Sequence, residues 1–327
     1  MIELIVNFKD QLNEAFEIAE RNKFKALPNG IENIVICGLG GSGIGAKIVQ
    51  DWVNQEINVP ISLVNGYTLP NFVSSKTLVI GSSYSGNTEE TVMALQEAKK
   101  KNAHIFCVSS GGQLASFCTE YALEITIIPP GLPPRGALGY SLVQLLNYLT
   151  QQGFISSKIW GELKGAISFL STEQEKIKIK ANELASFLYK KVGVLYAEDS
   201  YEGVIIRARQ QFNENGKYLA WHHTIPEMNH NELVGWAGGD DRFAAVFFLA
   251  EDMHPRNKKR FEITKETVKE KTGSVCSLHA VGANFTERYM YFIHLVDWAS
   301  YYLSELNKVD IMDIKVINHL KSELSKG

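Results

Sequence analysis

Two turns rich in glycine and hydroxyl side chains could hold an anion in this sequence. The stretch NIVICGLGGSGIG, residues 33–45, runs from an apolar segment into Gly38, Gly40, Gly41, Ser42 and Gly43. Gly38, Gly40 and Gly43 fit G-x-G-x-x-G, which alone reads as the pyrophosphate turn of a dinucleotide-binding fold. That fold also needs an acidic residue closing the second strand to hold the ribose hydroxyls. Here the strand reads ISLVN, and Asn65 is the only polar candidate at its end. The second turn, VIGSSYSGNTEETV at 79–92, follows another apolar run and opens a helix, with Asn87 as expected N-cap and Glu90 as its capping partner. Hydroxyls of Ser83, Ser85 and Thr88 would gather there beside the N–H groups of a helix start, a site sized for one phosphate monoester. One such turn is an ordinary strand-to-helix connection. Two of them, on neighbouring strands and both at strand C-terminal ends, favour phosphate over a nicotinamide dinucleotide.

Three further side chains could move protons or meet charge. Glu214, in FNENGK, falls at the expected end of a helix, with Asn215-Gly216 as C-cap. A carboxylate there opposes the helix dipole, which suits a functional base, though a solvated surface glutamate reads the same way. His230, in PEMNHNE, has the pKa class for proton transfer near neutrality and serves equally well in a structural hydrogen bond. Arg135, in PPRGALG, is presented by a loop stiffened by two prolines, and its guanidinium stays charged at any working pH. His222, His223, Glu227 and His230 form a rival, metal-like constellation, with Glu227 and His230 at i, i+3 spacing. Pro226 argues against one continuous helix carrying all four.

The elements that must position these residues follow from periodicity. Residues 1–26 carry Leu4, Ile5, Phe8, Leu12, Phe16 and Ile18 near a 3.6 period, with Pro28-Asn29-Gly30 as the stop. Apolar runs at 33–38, 60–65, 77–82, 104–110 and 123–129 alternate with helix-like stretches at about 43–54, 88–101 and 113–119. A Pro/Gly-rich break at 129–141 leads into helical periodicity from Ala137 to about Leu188, interrupted near Gly153. The alternation then resumes with runs at 192–197, 243–250 and 274–280, helices at about 202–213 and 257–271, a long helix at about 285–306 and a last one at about 312–325. Continuous apolar strands separated by helices predict parallel sheets covered on both faces. The expected organisation is two α/β domains of one kind, 1–150 and 151–327. The aromatic stretch RYMYFIHLVDWASYYL, 288–303, has helical spacing and reads as core or interface.

Composition narrows the function classes. The chain has 327 residues, 45% hydrophobic and 21% charged, with a net charge of −3. No basic excess points to nucleic acid. The longest apolar run, FAAVFFLA, has strand length and falls far short of a membrane span. The acidic N-terminus has no cleavable apolar core, and Cys37, Cys107, Cys118 and Cys276 form no C-x-x-C pair. A cytoplasmic protein with reduced, buried thiols is expected.

The stretch SSYSGNTEET resembles the Ser/Thr-rich loop S-x-S-G-x-T of the sugar isomerase (SIS) domain. GLGGSGIGA (38–46), PPRGALGYS (133–141), FNENGK (212–217) and PEMNHNE (226–232) together resemble the bifunctional phosphoglucose/phosphomannose isomerases, in the family's order and over essentially the whole chain. The resemblance implies two SIS-type domains, each a mainly parallel five-stranded sheet with helices on both faces. It implies interconversion of glucose 6-phosphate and fructose 6-phosphate through an enediolate, with mannose 6-phosphate also accepted and neither metal nor cofactor required. Ser42, Ser83, Ser85 and Thr88, with Gly41 and Gly86, would hold the phosphate. Glu214 would be the base, His230 the ring-opening group and Arg135 the enediolate stabiliser. Lys321, in INHLKSEL, would stand near the ring oxygen, with Lys315 as a competitor. The family's histidine comes from the partner subunit, so a homodimer with shared active sites is implied. The final stretch VDIMDIKVINHLK lacks the threonine associated with dual specificity, which bears on mannose 6-phosphate. The alternative is a phosphosugar-binding SIS protein without catalysis.

Overall fold

The computed structural model describes residues 1–324 and 326. The chain divides into two compact units, Val6–Ser168 and Met1–Ile5 with Phe169–Gly327. In chain order the helices and strands are α1 (Ile2–Val6), α2 (Phe8–Arg21), β1 (Asn33–Cys37), α3 (Gly40–Val53), β2 (Ile61–Val64), β3 (Thr77–Ser82), α4 (Glu89–Lys100), β4 (His104–Ser109), α5 (Gly112–Glu120), β5 (Glu124–Ile127), α6 (Leu138–Gln151), α7 (Lys158–Leu188), β6 (Val192–Glu198), α8 (Glu202–Glu214), β7 (Ala220–Ile225), α9 (Glu232–Gly235), β8 (Phe243–Leu249), α10 (Pro255–Lys269), β9 (Val275–His279), α11 (Phe285–Asn307) and α12 (Lys315–Leu324). Among the described residues, no helix is long and apolar enough to cross a membrane.

The first unit holds a parallel sheet in the order β2-β1-β3-β4-β5. Its central strands are apolar throughout because both faces are covered: β3 is buried at every residue, whereas edge strand β2 is buried only at Val64. Alternate residues serve the two faces. Val35, Cys37, Val79 and Cys107 pack with Leu95 and Ala98 of α4 and with Leu114 and Phe117 of α5. On Phe106, the ring stacks on Tyr148 of α6 at 3.8 Å between centroids. Helix α6 is buried from Leu138 to Leu149, and two of its carboxamides tie it to α2: Gln144 Nε2 donates to Ala15 O at 2.7 Å and Asn147 Nδ2 to Ala19 O at 3.2 Å. Helix α2 ends at Arg21, short of the Pro-Asn-Gly stop expected from periodicity. The chain beyond it is tied to the sheet and α6 instead, as Lys25 N–H donates to the Glu124 carboxylate and Leu27 N–H to Gln152 Oε1.

The second unit repeats the order with four parallel strands, β7-β6-β8-β9. The expected fifth strand is absent among the described residues because the apolar residues after β9 carry helical period and form α11, whose Tyr289, Met290, Phe292 and Trp298 are buried core. Strand β7 is an addition the apolar runs did not reveal; AWHHTI is a half-exposed edge strand with no continuous hydrophobic stretch. Helices α8 and α11 are clamped by a buried pair. Arg207 Nε and Nη2 donate to the two Asp297 oxygens at 2.9 and 2.6 Å, and Gln211 Nε2 donates to Oδ1 at 2.9 Å.

Candidate active site

In the first sheet the chain leaves β1 toward β2 on one side and returns to β3 on the other. The turns after β1 and β3 therefore part at the C-terminal edge, where open α/β sheets bind ligands. Both hydroxyl-bearing turns sit there; one hydrogen bond joins them, and two more hold the second turn together. Tyr84 N–H donates to Ser42 Oγ at 2.9 Å, Ser83 Oγ lies 2.8 Å from Thr88 Oγ1, and Gly86 N–H donates to Ser83 Oγ at 3.2 Å. Ser42 and Ser83 are buried, Thr88 is half-buried, and Ser85 is exposed with its Oγ accepting from Asn87 N–H at 3.3 Å. Thr88, not Asn87, is the N-cap of α4, and its side chain makes no capping bond to the helix. The Asn87 carboxamide instead accepts from Gln113 N–H in the first turn of α5 at 3.0 Å, a long-range use that local spacing does not encode.

The glycines let backbone segments meet. Gly86 has φ +69°, and a Cβ on it would fall 1.8 Å from Gly111 O, so only glycine fits between the turns after β3 and β4. A Cβ on Gly41 would fall 2.6 Å from Pro134 O and 2.8 Å from Arg135 N. The start of α3 thus lies directly against the 3-10 turn Pro134–Gly136, which carries the buried Arg135. Gln11 of α2 fixes the far side of that turn, donating to Gly136 O at 2.7 Å and accepting from Gly139 N–H at 2.8 Å. Asn65, standing where a dinucleotide fold wants its acid, donates Nδ2 to Gly38 O at 2.8 Å and so braces the glycine turn. Ser42, Ser83, Thr88, Gly41, Gly86 and Arg135 are thus gathered by one set of turns.

The second unit's corresponding edge is filled by its own carboxylates. Glu198, ending β6, accepts from His254 N–H at 3.0 Å and from Asn257 Nδ2 at 2.6 Å at the start of α10. Asp252 accepts from the Tyr201 hydroxyl at 2.9 Å and pairs with Arg288 at 2.7 Å. An anion of the protein stands there where the first unit presents hydroxyls.

Glu214, His230 and Lys321 belong to this second unit. Glu214 is the last residue of α8, half-buried. Asn215 is the C-cap, but the left-handed residue is Lys217 at φ +50°, not Gly216. Gly216 is needed for closeness instead, since a Cβ would meet Leu303 of α11 at 3.0 Å. Asn215 Nδ2 donates to Ser300 Oγ at 3.0 Å and Asn307 Nδ2 to Gly216 O at 2.8 Å, both from or to α11. His230 ends the 3-10 turn Glu227–His230 after β7 and is exposed. Because α8 returns between two parallel strands, Glu214 lies at the start of β7 and His230 beyond its end. The six residues of β7 put roughly 20 Å between those ends. Lys321 is exposed on α12, while Lys315 pairs with Asp313 at 3.5 Å.

The histidine-rich stretch is divided. His222 and His223 occupy successive positions of β7 and so face opposite ways. His223 Nδ1 lies 2.9 Å from Glu232 Oε2, and the Tyr196 hydroxyl donates to the same carboxylate. Burial, reinforced by Arg209, holds the His222 pKa down at about 4. Among the described residues, no group of three or more His, Cys, Asp or Glu side chains is placed to hold a metal ion. Neither Tyr84 nor Gln11 stands out as functional from residue type and spacing. The signal for Gln11 is a polar residue inside the apolar stripe of α2, between Phe8 and Leu12.

Residues 177–324 match the family model of the bacterial phospho-glucose isomerase C-terminal SIS domain, and residues 29–130 match the SIS domain model. The bifunctional phosphoglucose/phosphomannose isomerase of Caldicellulosiruptor bescii is 34% identical over 100% of this chain and 99% of its own. The chain belongs to the bifunctional phosphoglucose/phosphomannose isomerase family. The family member from Aquifex aeolicus is 35% identical over 90% of this chain and 91% of its own. A D-glucosamine-6-phosphate 4-epimerase from Sulfolobus acidocaldarius is 31% identical over 62% of this chain and 63% of its own. The fold is shared with the C-terminal domain of glucosamine-fructose-6-phosphate aminotransferase from Francisella tularensis, at TM-score 0.75 and 14% identity over 95% of this chain and 96% of that one. It is also shared with tagatose-6-phosphate ketose/aldose isomerase from Escherichia coli, at TM-score 0.64 and 14% identity over 92% and 87%.

Proposed function

We propose that this chain is a sugar-phosphate aldose–ketose isomerase that interconverts glucose 6-phosphate and fructose 6-phosphate and also accepts mannose 6-phosphate. The observation that carries this reading is the pair of hydroxyl-bearing turns, joined and packed against Arg135, in a chain aligned end to end with relatives of that name.

Ser42, Ser83, Ser85 and Thr88 receive the phosphate, and the absence of side chains at Gly41 and Gly86 keeps the turns close enough to do so. Phosphate binding supplies remote binding energy that aligns C1 and C2. His230 opens the sugar ring by proton transfer, and Glu214 takes the proton from C2 and returns it to C1. Arg135 stabilises the negative charge that develops on the enediolate oxygens. Lys321 faces the ring oxygen.

Glu214 and His230 stand at opposite ends of β7, which supports a homodimer in which one subunit supplies the base and the other the histidine. The apolar side of α12, with Val316, Ile317, Leu320 and Leu324 exposed, offers surface that a second copy would cover. Four free cysteines, three of them buried, support a reducing, cytoplasmic setting.

Parallel coupled assays with glucose 6-phosphate and mannose 6-phosphate, each with and without chelator, test the proposal. Turnover of glucose 6-phosphate that is indifferent to chelator is expected. Binding of either sugar phosphate without turnover would instead establish the non-catalytic alternative.

A further inference from the structure

The turn after β3 carries one aromatic residue among its hydroxyls, and that residue reaches the loop bearing Arg135. Tyr84 Oη donates to Pro129 O at 2.8 Å and accepts from Leu132 N–H at 2.8 Å. The main chain of the same residue serves the neighbouring turns. Its N–H donates to Ser42 Oγ at 2.9 Å, and its carbonyl accepts from Ser110 N–H at 2.9 Å and Ser110 Oγ at 2.6 Å. Tyr84 is 8% exposed. Burial pushes the phenol pKa upward, so it remains a donor at any working pH.

The loop needs such an outside partner. Residues 129–136 read PPGLPPRG, and four prolines remove four N–H donors, which limits what the loop can bond within itself. Gln11 holds it on the far side of Arg135, at Gly136. Tyr84 holds it on the near side, three residues before Arg135.

We infer that Tyr84 is a positioning residue whose hydroxyl sets where Arg135 stands relative to the turns holding Ser42, Ser83 and Thr88. This rests on the isomerase reading and on the role given there to Arg135. Fixing the loop to the phosphate turns would keep the guanidinium in register with the enediolate of a sugar anchored by its phosphate.

The test is Tyr84→Phe in the full chain, which removes one oxygen and keeps the ring. The kcat for glucose 6-phosphate is expected to fall about 10- to 100-fold, the cost of misplacing a charge-stabilising group. The KM and the inhibition constant of inorganic phosphate should stay within about 3-fold, less than the loss of one charge-assisted hydrogen bond to phosphate would produce. In an Arg135→Ala background the same substitution should change kcat less than about 2-fold, because coupled residues are not additive. A merely structural tyrosine would lower kcat by the same factor in both backgrounds, and that result overturns the inference, as does an unaltered kcat in Tyr84→Phe. Hydrogen exchange on the wild-type chain tests it without a variant: the Leu132 amide should be protected, and rapid exchange there would also overturn it. A wild-type chain that turns over no hexose 6-phosphate refutes the isomerase reading and this role with it. Wild-type turnover beside an unaffected Tyr84→Phe refutes the role of Tyr84 alone.

Discussion

Ser83 has a hydroxyl engaged by two groups of its own turn, the Thr88 hydroxyl and the Gly86 N–H. A phosphate in this turn would meet a hydroxyl pair, Ser83 and Thr88, already oriented by the turn, so the cost of ordering it falls on folding and not on binding. Ser83→Ala should raise the KM for glucose 6-phosphate about 10-fold and leave kcat within about 2-fold, as expected for one hydrogen bond to a charged group made equally in ground and transition states. Steady-state kinetics reads both, and a kcat loss at unchanged KM would count against a phosphate-binding role. Ser42, Ser83 and Thr88 can be picked out from sequence because two hydroxyl-bearing turns each follow an apolar strand and open a helix, and the structure brings those turns together. Asn87, Asn65 and Gln11 are less so. Their partners lie 26, 27 and 125 residues away, and no local spacing carries such contacts.

Helices and strands with strong periodicity can be placed from sequence within a few residues of their observed ends, including α8, α11 and every central strand. Strand β7 cannot, because an edge strand half open to solvent has neither a continuous apolar run nor clean alternation. The four-strand count of the second sheet is hidden for a related reason: a resemblance transmits a family's strand number, while the residues after β9 have helical period. Helix α11 also carries a titratable group that ties its stability to pH. His294 is 2% exposed and its ring Nε2 accepts from Trp298 Nε1 at 3.1 Å. Burial, with the charges of Lys178 and Arg207, holds its pKa down at about 3, against 6.5 ordinarily. In the unfolded chain the imidazole takes up a proton as the pH falls below about 6.5, whereas in the native chain it stays neutral until about 3. Acidification through this window therefore favours unfolding, by up to about 1.4 kcal/mol per pH unit for this group. His222, with its pKa at about 4, adds in the same direction. Denaturant unfolding at pH 7, 6 and 5 should show falling stability, with a shallower slope in His294→Gln; stability rising toward pH 5 would contradict the assignment.

At the scale of the whole molecule, Glu214 and His230 lie at opposite ends of β7, and the proposed homodimer would make the subunit count part of the chemistry. Glu214→Gln and His230→Gln variants should each be nearly inactive alone. Mixed after dissociation and reassembly, half of the dimers would pair one variant with the other, and each would hold one intact site. About a quarter of wild-type activity should return if the two groups come from different subunits of a twofold dimer. No recovery would mean that base and histidine come from one chain. The family resemblance implies the shared arrangement, while composition and periodicity are silent on it, because neither carries information about contacts between chains.

In the proposed reaction a carboxylate at the end of α8, Glu214, moves the proton of a phosphohexose. The decisive measurement is turnover of glucose 6-phosphate to fructose 6-phosphate by the wild-type chain and by Glu214→Gln, followed by a coupled assay. Robust turnover by the wild type is expected, with a kcat in the variant lower by about 100-fold or more and a KM changed little, as the loss of a general base requires. A wild-type chain inactive on glucose 6-phosphate, or a Glu214→Gln variant that keeps near-normal turnover, would contradict it.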